Sequence, residues 1–382
     1  MHLSAVMKAW LARARRLDRR LRRPAAWTPL TVLLVTICLP VPARAEHPAL
    51  RQICSRVVEK NIVDRSNGFI RPSPLYHDGQ WLRDSFWATG GSNDSSLKKA
   101  AFDRFASQLQ DGQAPTRLIP YSNRFVMNDD ESTLLFVIWA YRDRQILGSA
   151  YDQALARAWT WVRSHVADGQ YWSPPGNLRS WHDALVFPGW DVISYNQGLY
   201  VAAAHAAAAL GLPVSEKELR DAEEGYRRLF RSDLQYLPVS RNLPYHDISA
   251  LIGEALLRIL FDRSALYDEQ VIATVSRHPG SDVGFLVLSK PDGNYLPYDA
   301  FDPPLDYGDY QNGGSWFLYD FLALLLARNA GWSQADRYMD WRLNVELTRG
   351  SLHEYLMTQP IPVELRPDYA WNAYACSLAD WR

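Results

Sequence analysis

Cysteine is scarce in this 382-residue chain, and the three present are far apart. Cys38, Cys54 and Cys376 cannot form a zinc cluster, which needs Cys and His ligands at close intervals. His165, His182, His205, His246, His278 and His353 show no metal-ligand spacing either, so neither a metal nor another cofactor is required. Cationic excess is also missing, with 41 Lys/Arg against 42 Asp/Glu. Nine of the cations and a single acid fall in residues 1–45, so the remainder holds 32 basic and 41 acidic residues, about −9. Nucleic acid favours Lys/Arg patches, and so acidic a chain is a poor partner for it. An apolar run of the ~20 residues that span a bilayer is absent. Alternating strand patterns are few, Val283–Leu288 being the best. No linker, low-complexity stretch or repeat of fixed period divides the chain, which argues for one domain and against a solenoid.

The first 45 residues form a class of their own. A basic stretch (Lys8, Arg13, Arg15, Arg16, Arg19, Arg20, Arg22, Arg23) precedes an apolar run from Leu30 to Val41, and Ala43-Arg44-Ala45 follows. This is the order of a signal peptide. It predicts a periplasmic or secreted protein, residues 46–382, with no stable membrane insertion after cleavage. Pro40 and Pro42 interrupt the run, so an uncleaved anchor is the weaker reading. In an oxidising compartment Cys54 and Cys376 are a candidate disulfide; the alternative is two separate buried thiols.

Helical patterns alternate with Gly/Pro/Asn-rich loops over the rest. Helices are expected at Ala49–Val63, Ser95–Leu109, Glu131–Leu147, Ser149–Val166, Asn196–Leu210, Glu216–Phe230, Ser249–Phe261, Asp268–Val275, Trp316–Ala330, Ser333–Thr348 and Trp371–Trp381. A twelfth could lie in 277–310. Asn196–Leu210 is apolar on most sides and so reads as buried. Ser215 and Glu218 form a capping box for the helix that follows. Buried, Ala-rich helices alternating with more polar ones suggest an inner and an outer ring.

Three regions place charged or amide groups beside aromatic rings. They are Trp81-Leu82-Arg83-Asp84-Ser85-Phe86-Trp87, then Ser180-Trp181-His182-Asp183-Ala184, then Tyr310-Gln311-Asn312-Gly313-Gly314-Ser315-Trp316 with Ser351-Leu352-His353-Glu354-Tyr355. A pyranose needs this mixture: charge-assisted hydrogen bonds for its hydroxyls and an aromatic surface for its C–H face. An oligo- or polysaccharide is therefore the expected partner. Two carboxylates far apart in sequence could act as acid and base in glycoside hydrolysis.

These segments, in this order, resemble the six-hairpin glycosidase superfamily. The first is similar to the Trp-x-Arg-Asp element of glucoamylases, which grips the non-reducing-end sugar; the resemblance makes Trp81, Arg83 and Asp84 substrate-binding. Asn128-Asp129-Asp130-Glu131 resembles an acidic loop of that superfamily, or is an N-cap cluster. Ser180-Trp181-His182-Asp183 resembles the Thr-Trp-Met-Asp element of amylo-α-1,6-glucosidases, whose Asp is the general acid. Gly189-Trp190-Asp191 is similar to the Gly-Trp-Asp of related α-glucosidases and trehalases, so Asp183 and Asp191 compete for that role, near Trp181 and Trp190. Spacing favours Asp183, because in those relatives a longer stretch separates the acid from the next helix, and Asp191 lies only five residues before Asn196. Gln311 and Asn312, ahead of Trp316, resemble a Tyr-His-Asn-Gly loop with Gln in place of His. Glu354 matches the general base, and Ala370-Trp371-Asn372-Ala373-Tyr374 resembles the closing helix.

The resemblance implies an all-α (α/α)6 toroid and an exported, inverting, exo-acting glycoside hydrolase. In a closed ring the first and last helices are neighbours, so a Cys54–Cys376 bridge could tie the ends. The alternatives are a polysaccharide lyase on the same toroid, for which a basic groove would be expected, and a non-catalytic glycan-binding protein.

Overall fold

The computed structural model describes residues 48–378, apart from positions 78, 121, 123, 359–363 and 366. The expected signal peptide, Cys38 and the last residues of the expected C-terminal helix lie outside the described residues.

Helices dominate, and they alternate between two layers. Along the chain run α1 (Pro48–Asn61), α2 (Leu82–Gly90), α3 (Ser95–Ala106), α4 (Glu131–Arg142), α5 (Asp152–Arg163) and α6 (Ser194–Ala209). Next come α7 (Glu216–Arg227), α8 (Ile252–Phe261), α9 (Asp268–Ser276), α10 (Phe317–Asn329), α11 (Ala335–Arg349) and α12 (Tyr374–Ser377), the last entered through a 3-10 turn, Ala370–Ala373. Even-numbered helices pack on one another in sequence: α2 on α4, α4 on α6, α6 on α8, α8 on α10, α10 on α12. The turn before α12 packs back on α2, which closes the ring. The fold is thus an all-α (α/α)6 toroid, with the odd-numbered helices outside.

Burial follows from composition. All of α6 from Ser194 to Ala207 is buried, as an inner helix flanked on several sides must be. Outer α7 buries only the stripe Leu219, Ala222, Gly225 and Tyr226, and its capping box forms as expected, with Ser215 and Glu218 each satisfying the other's backbone N–H. Inner helices α6 and α8 cross where Gly198 meets Gly253; a Cβ on Gly253 would overlap the Gly198 backbone, so this contact needs glycine.

Several expectations shift. The expected helix through Leu147 breaks at Asp143, whose carboxylate accepts from Trp139 Nε1 at 2.9 Å, leaving a short turn Arg144–Leu147. Within 277–310 only a 3-10 turn, Tyr298–Ala300, appears; the twelfth helix is α2. The strand expected over Val283–Leu288 is reduced to Leu288–Ser289, paired antiparallel with His246–Asp247.

The two kinds of connection differ in length. Inner-to-outer turns, such as 91–94 and 330–334, are short, whereas all six outer-to-inner loops are long. Those long loops end at inner-helix N-termini, so they gather on one rim and carry the small sheets. Trp81 pairs with Arg117 there, and Arg117 with Val126.

At the seam Cys54 on α1 and Cys376 on α12 form a disulfide, with Cα atoms 6.4 Å apart and a sequence separation of 322. Closing so long a loop removes much unfolded-chain entropy. Replacing both cysteines by Ala should lower unfolding free energy by about 3–5 kcal/mol, read from urea titrations of oxidised protein.

Candidate active site

A cavity of ≈ 400 Å³ opens on the long-loop rim. It brings together Arg83 and Asp84 from the first turn of α2, Asp183 from the loop before α6, and Tyr310 and Glu354 from the last two long loops. A smaller cavity of ≈ 200 Å³ adjoins it, sharing Trp81, Arg83 and Asp183 and adding Arg117, Asn128 and Glu131. Asp183 and Arg83 stand at the junction.

Each acid is held by named partners. Asp183 Oδ1 accepts from Gln311 Nε2 at 2.7 Å, and Oδ2 accepts from Tyr310 Oη at 3.1 Å. Gln311 also binds the acid's own loop, donating to Trp181 O and accepting from Ala184 N. Beneath that loop, His182 is buried between Ser180 Oγ (2.7 Å) and Asp247 Oδ2 (3.0 Å). Trp181 Nε1 donates to Ser249 Oγ at 2.5 Å, and Ser249 donates to Asp247. Both Glu354 oxygens accept from Tyr76 Oη at 3.0 Å, and Tyr369 lines the same cavity.

The electrostatics follow from burial with few cations. Burial raises Asp183 above the usual carboxylate range, against the Arg83 charge and the Tyr310 and Gln311 donors. Glu354 is raised well above its usual range, first by burial and then by Asp84 and Asp183. Asp84 is raised by burial too, although Arg83 opposes the shift. Three carboxyls thus surround one guanidinium, which is itself engaged. Arg83 Nη1 donates to Glu131 Oε1 at 2.7 Å, and its Cζ lies 5.4 Å from the Trp371 ring centroid.

Glu131 opens α4 and lines the smaller cavity. Burial pushes it up to about 8 even with Arg83 alongside, and pushes neighbouring Asp130 up to about 7. Folding therefore tightens proton binding at both. Their contribution to stability is full at pH below their unfolded values, near 4, and is lost as pH rises through about 7 and 8. His246 and His278, pushed down by burial to about 4 and about 3, act in the opposite sense as pH falls below 6.5. The difference between the wild type and Glu131→Gln isolates the carboxyl: urea midpoints of the wild type should fall relative to the variant's between pH 5 and 8.

The other residues singled out in the sequence lie at varying distance from this cavity. Trp81 lines both cavities, with its ring 5.3 Å from the Arg117 guanidinium. Trp181 and Trp316 are buried just behind the wall, their centroids 5.2 Å apart, and Trp316 stacks on Tyr355. Asn312 is buried and ties its own loop, bonding Leu296 N, Leu296 O and Leu305 O. Asp191 stands outside both cavities: its carboxylate accepts from Ser240 Oγ at 2.5 Å and from Val192 N at 2.8 Å. Trp190 is 58% exposed and lines neither cavity. Sequence reasoning missed Tyr76, Tyr369 and the Arg83–Glu131 pair. Nothing near Tyr76 marks it, and the pair stand 48 positions apart.

Neither a protein-family profile nor a curated protein matches the sequence. Solved structures do match, over nearly their whole length. A GH63 mannosylglycerate hydrolase from Thermus thermophilus, in complex with Tris, superposes with a TM-score of 0.63 at 13% identity, covering 87% of this chain and 100% of that one. A wild-type glycosidase gives 0.60 at 15% identity, covering 86% and 95%. An uncharacterized conserved protein from the same Thermus gives 0.60 at 12%, covering 85% and 98%. The chain has the six-hairpin glycosidase fold. In that fold the long-loop rim of this chain is the face on which Asp183, Glu354, Arg83 and Asp84 meet.

Proposed function

We propose that this protein is an exported, inverting glycoside hydrolase that removes a terminal sugar from an oligo- or polysaccharide. One observation carries the reading: Asp183 and Glu354, 171 positions apart in sequence, line one cavity with the Arg83-Asp84 pair and a set of tyrosines. The glycosidase neighbours support the same class, and the leader-like residues 1–45 and the disulfide support export.

Asp183 gives its proton to the leaving oxygen, and Glu354 takes one from water on the other ring face, for which inversion needs roughly 6.5–9.5 Å between the carboxyls. Burial raises both carboxyls; Arg83 and the Tyr310 and Gln311 donors restrain the shift of Asp183, whereas Asp84 and Asp183 add to that of Glu354, which holds a proton the more firmly. A bound sugar reverses this bias. The glycosidic oxygen is an acceptor and bonds only protonated Asp183, while the attacking water is a donor and favours ionised Glu354. The working form is a pair with one proton, shared until substrate assigns it. Arg83 and Asp84 grip the outer hydroxyls. A lyase would instead need an ionisable base, and burial raises the Tyr310 and Tyr369 hydroxyls well above their usual range.

Proton NMR of early products from a panel of α- and β-linked oligosaccharides tests the reading. Release of a single sugar with inverted anomeric configuration is expected. Unsaturated products would replace it by a lyase, and binding without any release by a glycan-binding protein.

A further inference from the structure

We propose that a buried cluster of Asp320, Arg342, Glu346 and His353 is the device that sets the position of Glu354 relative to Asp183, with His353 as the positioning residue. The inference rests on the hydrolase reading for its kinetic test alone.

Arg342 on α11 is buried, and its fork reaches two helices. Nε donates to Asp320 Oδ2 of α10 at 2.8 Å, and Nη1 donates to Glu346 Oε1 at 2.8 Å. The second Glu346 oxygen accepts from His353 twice, from Nδ1 at 2.9 Å and from the backbone N at 3.3 Å. His353 immediately precedes Glu354, and its own carbonyl accepts from Asn372 Nδ2 at 2.6 Å. Ring, amide and carbonyl of the residue next to the base are thus all bonded.

The same cluster holds the loop that supports the acid. Ser315 Oγ donates to Asp320 Oδ2 at 2.9 Å. Ser315 and Leu356 exchange backbone hydrogen bonds of 2.9 and 2.8 Å, joining the Tyr310–Trp316 loop to the Glu354 loop. Tyr310 and Gln311, on the first of these loops, are the two donors to Asp183. A Cβ on Gly284 would collide with Ser315 Oγ and Asp320 Oδ2, so the room for this junction depends on that glycine.

Packing alone does not require these charges. Apolar residues of similar volume in place of a buried ion network are often as stable or more so. Directional bonds supply what apolar contact lacks, a fixed orientation. Burial opposes ionisation of Glu346, but Arg342 and His353 outweigh it and hold the carboxyl below the usual glutamate range. An ionised acceptor thereby faces the His353 ring and amide.

His353→Ala and His353→Asn separate positioning from stability; the Asn amide can donate to Glu346 where Nδ1 does. A misplacement of ~1 Å can slow turnover about 100-fold. For His353→Ala, kcat should fall about 100-fold with KM little changed, and His353→Asn should recover most of the rate. The Glu354 carboxyl signal in protein labelled with 13C at glutamate Cδ, assigned with Glu354→Gln, should move in His353→Ala and return in His353→Asn. An unmoved signal, with melting temperature alone reduced, would overturn the proposal. If the wild type hydrolyses nothing, the hydrolase reading fails, and the carboxyl signal still decides this one by the same two outcomes.

Discussion

Glu354→Gln and Asp183→Asn should each lower turnover by roughly 10²–10⁴-fold, the usual contribution of a positioned acid or base. Both are near-isosteric. In Glu354→Gln the amide oxygen still accepts from Tyr76, so sugar affinity, read by calorimetry, should stay within a few-fold. The two losses should have different chemistry. Asp183→Asn removes the proton for the leaving group, so a substrate with a good leaving group, such as a glycosyl fluoride, should be spared most of the loss. Glu354→Gln removes the acceptor for the water proton, and no choice of leaving group should spare it. Asp191→Asn supplies the contrast. Its carboxylate accepts from Ser240 Oγ and Val192 N away from the cavity. Loss of one buried acceptor should cost about 1–3 kcal/mol of stability and leave turnover per folded molecule unchanged. An Asp191→Asn protein that is folded and inactive would return the acid role to Asp191.

What places Asp183 and not Asp191 in the cavity lies beyond sequence. Both are in one long loop, eight positions apart, each within two positions of a tryptophan. Only the chain path decides which one faces inward: Asp183 N bonds Trp181 O in a tight turn, whereas Asp191 pairs its backbone with Ser173. The helices read more directly. Apolar runs such as α6 and α10, and the capping box of α7, are local signals and gave elements close to those expected. The helix α2 was harder because Leu82–Gly90 is short and buries Asp84, Ser85 and Thr89 among rings, so its pattern is not amphipathic. Aromatic content misleads in a similar way. Trp181 and Trp316 form the packed layer behind the cavity, while Trp190 faces solvent. Arg342 and Glu346 look, in sequence, like an ordinary i,i+4 surface pair; only the packing of α11 on α10 makes them buried. Partners brought together only by tertiary packing, such as Tyr76 with Glu354 and Arg83 with Glu131, leave no local trace.

Replacement of Arg83 by Met should damage fold and catalysis together, and the two effects can be taken apart. Arg83 pairs with buried Glu131 at 2.7 Å and lies over the Trp371 ring. Removing one partner of a buried ion pair typically destabilises by about 3–5 kcal/mol. Here Glu131 can escape part of that by staying protonated, since burial already pushes it up to about 8. The loss of stability should therefore be smallest near pH 5 and should grow toward pH 8. Adding Glu131→Gln to Arg83→Met leaves no carboxylate to strand and should recover much of the lost stability, as the two sites share one interaction. Catalysis should not recover. Arg83 is the cation that opposes the upward shifts of Asp84, Asp183 and Glu354. Without it Glu354 is held protonated to still higher pH, and the acid limb of kcat/KM should move upward. One charged hydrogen bond to the sugar would be lost as well, about 1.5–3 kcal/mol of binding, or roughly 10–100-fold. A double variant that regains wild-type stability and wild-type turnover would show that Arg83 serves the fold alone and has no part in gripping the sugar.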